Sequence, residues 1–167
     1  MKLIYFLLLS VLLMHCKKSG GHIDASSITR TDGNGVLIAT DPDDWQVYSG
    51  FPAGTRALFT ELPAADLAGA VRAQVSVQPV FPNPTDGIFR FTISGTLRTA
   101  VQVVVVDEDL NVKDRYSYAM TPGGSARSFL LSRDSYSNGR YYRVYYGFFS
   151  ESEGLYAGGH GNILVQR

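Results

Sequence analysis

Phe81-Pro82-Asn83-Pro84-Thr85-Asp86-Gly87-Ile88-Phe89-Arg90-Phe91-Thr92-Ile93-Ser94 carries the two signals that decide the fold. In its first half, two prolines fix φ and remove backbone donors. Asn and Asp side chains bond their own backbone, and Gly87 accepts positive φ. This composition predicts a rigid corner between two strands. In its second half, Phe89, Phe91 and Ile93 alternate with Arg90, Thr92 and Ser94. That period of two marks a half-buried strand of an antiparallel sheet.

Outward from this stretch the same grammar repeats. Val75 and Val77 alternate with Ser76 and Gln78 just before the corner. Val101 to Val106 is apolar on both faces, so it is expected at the centre of a sheet with both sides covered. Asp107 to Asn111 is a polar turn, and Val112 to Met120 returns as a strand. Thr121-Pro122-Gly123-Gly124 turns the chain into a short strand over Ser128 to Leu131. Ser137-Asn138-Gly139 breaks the chain before the aromatic strand Arg140 to Phe149. Ser150 to Gly161 is expected as a long Gly-rich hairpin loop, and Ile163-Leu164-Val165 closes the chain. The pattern predicts an all-β fold: a single Ig-like antiparallel β-sandwich of about seven strands over residues 73–167.

The chain before residue 73 is less regular. Asp32-Gly33-Asn34-Gly35 lacks the later oxygen ligands of a calcium loop and reads as a turn into a short strand, Val36 to Ala39. Asp41 is placed as the N-cap of a short helix, with Pro42 at its first position and Asp43 and Asp44 at the positive end of its dipole. Trp45 is expected to pack that helix onto the main domain. Residues 32–72 thus form an irregular extension with a short helix. Residues 16–31 form a flexible tether that contains His22.

Met1 to His15 reads as an export leader: Lys2, then the apolar run Leu3 to Met14. That run is shorter than the roughly 20 residues a membrane-spanning helix needs. Leu13-Met14-His15-Cys16 resembles the bacterial lipobox, in which the cysteine is acylated and then becomes the first residue; His15 stands where that pattern has a small residue. Cys16 is the single cysteine of the chain, so the mature protein is expected to have no disulfide and to rely on packing. Removing the leader leaves 14 Lys+Arg against 15 Asp+Glu, because the leader holds Lys2 alone among the charged residues. With no basic excess, nucleic acid is excluded as a partner. The expected partner is instead a lipid membrane reached through acylated Cys16, together with a protein or a glycan.

The Pro-Asn-Pro-x-x-Gly corner, the Val-rich strand ending in Asp107, Gly139-Arg140-Tyr141-Tyr142 and the final Ile163-Leu164-Val165 together resemble the C-terminal β-sandwich modules of secreted Bacteroidota proteins. In the type IX secretion family that module is a sorting signal. Asn111 departs from the family's turn glycine, and no cargo domain precedes the module. The chain as a whole is similar to small lipoproteins of the same phylum that reuse this sandwich. The resemblance implies a sandwich fold and an outer-membrane, lipid-anchored location on the periplasmic or cell-surface face.

No constellation for catalysis is legible: there is no Gly-x-Ser-x-Gly elbow and no phosphate loop. Gly158-Gly159-His160-Gly161 follows no strand–helix unit, and His160 reads as a hairpin-tip residue. No metal set and no cofactor motif is present. The strongest lead is the aromatic strand. Tyr141, Arg143, Tyr145 and Phe149 share one face, and Tyr142, Val144, Tyr146 and Phe148 share the other. The Val144 face is expected in the core. The Arg143 face is either an exposed platform for sugar rings or a partner, or a cross-strand aromatic cluster with Arg143 over the rings. Three functions follow: a non-enzymatic, lipid-anchored interaction or structural module, a secretion-system sorting module, or a carbohydrate-binding surface lipoprotein.

Overall fold

The alternation around Phe91 becomes strand β5 (Ile88–Gly95), with Phe89, Phe91 and Ile93 fully buried. A computed structural model describes residues 27–51 and 53–167. The leader, Cys16 and His22 lie outside the described residues. β5 pairs on one side with β4 (Val75–Phe81) and on the other with β8 (Ser125–Leu130), all antiparallel. The facing sheet has the order β3–β10–β9–β6–β7. Its members are β3 (Gln46–Tyr48), β6 (Thr99–Val106), β7 (Val112–Met120), β9 (Tyr141–Ser150) and β10 (Gly154–Leu164). A separate hairpin joins β1 (Arg30–Thr31) and β2 (Leu37–Ala39). β4 to β10 are the seven strands of the expected antiparallel sandwich, and β3 adds an eighth at the edge.

The two sheets close over one core. Phe91 lies 5.3 Å from the Tyr146 ring and 5.9 Å from that of Trp45. Trp45 and Tyr146 stack at 6.2 Å. Such aromatic pairs contribute about 0.5–1.5 kcal/mol each beyond the area they bury. As expected, the Val144 face of β9 belongs to this core, with Tyr142, Val144, Tyr146 and Phe148 all buried.

Val101 to Val106 is buried at every position. The cover on its outer face comes from α1 (Ala53–Arg56), α2 (Ala64–Leu67) and the chain around them. Leu58 packs with Val104, Val106 and Tyr145. Leu62 and Ala70 pack with Ala100 and Phe149. The cover is also pinned by polar contacts. Gln102 accepts the Thr60 N–H at 2.9 Å, and Arg115 donates to the Leu58 carbonyl at 2.9 Å. The boundary expected at residue 73 therefore does not divide the structure, because an all-apolar strand leaves an outer face that only the preceding segment can cover.

Four local expectations are revised. The tether gives way to packed chain before Thr31: Thr29 is buried, and Thr31 donates from Oγ1 to the Val80 carbonyl at 2.7 Å. The helix expected from Asp41 is a single turn. Trp45 sits at φ 61°, and its N–H bonds the His160 carbonyl at 2.7 Å. The chain thus leaves helical geometry and enters β3. A left-handed φ is strained for a bulky residue, and here the buried indole and that hydrogen bond hold it. The Asn83 amide, expected to bond its own backbone, instead reaches Thr29, Asn162 and Leu164. The Gly-rich loop is strand β10, and only residues 151–153 turn.

Packing explains that last revision. A Cβ on Gly161 would lie 2.2 Å from the Trp45 ring, and one on Gly158 would lie 2.2 Å from Phe51. The glycines are thus the seats of two aromatic rings, one on each face of β10, and not a source of loop flexibility. Gly161→Ala is expected to lower stability by about 3 kcal/mol through overpacking. Gly33→Ala, at a position with open space around it, is expected to change stability by less than about 0.5 kcal/mol. Urea denaturation of the two variants checks this, and equal midpoints would remove the seat argument.

Candidate functional site

At the end of the five-stranded sheet a cleft of roughly 540 Å³ opens between the Asp41–Trp45 turn, β3, β9 and β10. Its floor is Asp44, whose carboxylate is buried. Oδ2 accepts the Thr29 N–H at 2.9 Å, and Oδ1 accepts the Asn162 N–H at 3.0 Å. Asn162 extends the floor: Nδ2 donates to the Ser27 carbonyl at 3.1 Å, and Oδ1 accepts from Arg143 Nε at 2.8 Å.

The turn supplies one wall. Asp41 accepts the Asp43 N–H at 3.0 Å and receives the hydroxyl of Ser27. Asp43 is exposed at the crest of the turn. The opposite wall is sheet. Register places His160 opposite Gln46 on β3 and opposite Tyr145 on β9. His160 and Asn162 sit two residues apart on β10, so they project from one face. The Tyr48 hydroxyl lies 2.6 Å from His160 Nδ1, and the Tyr145 ring lies 5.8 Å from the imidazole.

Electrostatics set the protonation of these groups. Burial pushes the Asp44 carboxyl up to about 6, aided by the Asp41 charge and opposed by its two backbone donors and by Arg143. The bond from Ser27, followed by that from the Asp43 N–H, holds Asp41 below the usual carboxylate range. Burial first, and then the Tyr145 hydroxyl, push the Tyr48 phenol up to about 12. Burial and the Arg143 charge push His160 below the ordinary imidazole value. At neutral pH the phenol is therefore protonated and the imidazole neutral. The Tyr48 hydroxyl and His160 Nδ1 share one hydrogen bond at 2.6 Å, in which the imidazole tautomer sets which group donates.

Of the four residues on the predicted face of β9, Arg143 alone lines this cleft. Tyr145 and Phe149 are buried beneath the cover, the first against Leu58 and the second among Leu62, Ala70 and Phe59. Tyr141 is half-buried against the first of these clusters. The face is therefore not an exposed aromatic platform. Its rings are covered by the 53–70 segment, and the Arg143 guanidinium points instead to Asn162. His160 is a strand residue and not a hairpin tip. The contribution of Asp41, Asp43, Gln46, Tyr48 and Asn162 was not legible without β10. Once that strand is drawn, the His160–Asn162 spacing is the available signal.

Among the described residues, no group of three or more His, Cys, Asp or Glu side chains is placed to hold a metal ion. Among them, too, no helix is long and apolar enough to cross a membrane. A scan against protein-family models and a search of curated proteins find no match to this chain.

The floor carboxyl has a measurable signature. Its folded pKa is raised above the ordinary aspartate value, so the folded state holds the proton more tightly than the unfolded chain. The stability this contributes, on the order of 2–3 kcal/mol, is full below about pH 4 and lost as pH rises through 6. Carbon-13 NMR of the side-chain carboxyls is expected to show Asp44 titrating near 6 and Asp41 well below it. A midpoint for Asp44 in the ordinary aspartate range would show that water reaches the floor.

Proposed function

We propose that this chain is a non-enzymatic binding module, held at a bacterial envelope membrane by acyl chains on Cys16, that engages its partner through the cleft beside Asp44. The observation that carries this reading is the cleft itself. Carboxylates of the turn face a cationic and imidazole-bearing wall, above a floor whose polar atoms are already bonded. Such a floor is rigid and leaves the Asp43 carboxylate and the His160 imidazole to meet a ligand, as expected of a preorganised binding site.

The anchor is argued from sequence. Lys2, the apolar run to Met14 and the lone Cys16 form an export signal that ends on an acylatable thiol. Several acyl chains act together, each buried methylene contributing roughly 0.8 kcal/mol. Ser27, which lines the cleft, follows Cys16 by a stretch that extends at most about 40 Å. The cleft is thereby kept close to the bilayer.

Cys16→Ser is expected to move the protein from the membrane pellet to the soluble fraction. A photo-crosslinking residue at Gln46, exposed at the cleft, is expected to trap an envelope component. The same residue at the exposed Ser76, on the other sheet, is expected to trap none. A variant that stays in the pellet would remove the anchor, and equal products from both positions would remove the cleft.

A further inference from the structure

The chemistry of the two walls narrows what the cleft accepts. Asp41 and Asp43 offer carboxylate oxygens, Gln46 carries an amide, and Tyr48 carries a hydroxyl bonded to His160 Nδ1. Across from them, neutral His160 presents Nε2, a donor in one tautomer and an acceptor in the other, and Arg143 carries positive charge. A bound anion would face three aspartates. A bound simple cation would meet the Arg143 charge, and among the described residues no group of three or more His, Cys, Asp or Glu is placed to hold a metal ion. The group that suits both walls at once is one that donates and accepts through the same atom while carrying no charge, which is a hydroxyl.

We infer that the cleft binds a neutral polyhydroxylated ligand, a sugar residue of a glycan, through the Asp43 carboxylate on one side and the Tyr48–His160 pair on the other. This assignment rests on the binding-module reading above. A volume of roughly 540 Å³ falls within the range of small-ligand clefts and admits about one or two pyranose rings. Vicinal hydroxyls supply donors and acceptors at a fixed spacing, so a wall of carboxylate acceptors opposite an imidazole nitrogen selects among them. The Tyr48 hydroxyl at 2.6 Å from Nδ1 holds the imidazole in place, and a ligand hydroxyl, which both donates and accepts, suits Nε2 in either tautomer. The buried floor takes no part in selection, because its carboxylate and amide groups are already occupied. The sugar site is thus displaced from the aromatic face that the sequence singles out: hydrogen-bonding side chains replace stacking rings.

The test uses the full chain in detergent micelles on a glycan array, followed by calorimetric titration with methyl pyranosides of the sugars that bind. Saturable binding is expected to at least one glycan. It should weaken about tenfold or more in Asp43→Ala and in Tyr48→Phe, since each removes a group that bonds the ligand or orients one that does. Both positions lie away from the sheet core, so thermal midpoints should stay close to that of the parent. The nitrogen NMR signal of His160 Nε2 should shift on adding the sugar. Three results would overturn the assignment: no glycan bound, binding unchanged in both variants, or saturable binding of putrescine in place of sugars. If the Gln46 crosslink persists when no glycan binds, the module reading stands and the sugar assignment alone falls.

Discussion

One buried amide joins the parts of this protein that are far apart in sequence. Asn83 has no exposed surface, yet each of its polar atoms is bonded. Nδ2 donates to the carbonyls of Thr29 at 2.8 Å and Asn162 at 2.9 Å, and Oδ1 accepts the Leu164 N–H at 3.1 Å. Its backbone exchanges hydrogen bonds with Thr31. A buried amide group left unpaired costs about 1–3 kcal/mol, so the bonds are favourable only as a set. The entry segment, the proline corner and the last strand must therefore arrive together. Thr85 repeats the device two residues on: its N–H donates to the Leu164 carbonyl, and its carbonyl accepts the Gln166 N–H. The corner acts as a joint between layers as well as a turn between strands.

The same constraint shapes the cleft. Asn162 is bonded on one side to Asn83 and on the other to Asp44, Arg143 and Ser27. Asp44 is in turn bonded to Thr29. A buried carboxylate is costly unless it is well bonded. Here the carboxylate accepts two backbone N–H groups, from Thr29 and Asn162, and closes the polar seam that Asn83 begins. The floor of the cleft is thus an extension of the fold's own hydrogen-bond network, and distorting it would break bonds that hold the N-terminal segment to β10.

How much of this could be read from sequence follows from the range of the forces involved. The period of two in Ile88 to Ser94 and the continuous apolar run Val101 to Val106 are local signals, and both gave the right strands. Val101 to Val106 even announced that both of its faces are covered, though not by what. Composition misled at β10. Gly158 and Gly161 suggest a loop when read alone, because the reason for each is a ring contributed by a residue more than a hundred positions earlier. Trp45 failed in the complementary way: Asp41-Pro42-Asp43-Asp44 is good helix-start chemistry, but burying the indole between Phe91 and Tyr146 outweighs the local preference for a helix. The aromatic face of β9 was correctly separated from the core face. That it is covered depends on Leu58, Phe59 and Leu62, whose own stretch has no periodicity to reveal a destination.

Cover and cleft are mechanically one structure. A chain of ring contacts runs along the outer face: Phe149 to Phe59 at 6.1 Å, Phe59 to Phe51 at 5.2 Å, Phe51 to Tyr48 at 5.8 Å, and Tyr48 to His160 at 6.0 Å. Phe51 is seated over Gly158, the residue whose register partner on β3 is Tyr48. The ring that fills the glycine notch therefore also buttresses the phenol that bonds His160 Nδ1. Arg143, between Tyr145 and Tyr141 on that face, is the residue of the four that lines the cleft. Aromatic packing closes one half of the outer face, and the polar groups that remain are concentrated at its rim. The aromatic residues of this strand thus bear on the cleft through the chain of rings that positions its polar groups.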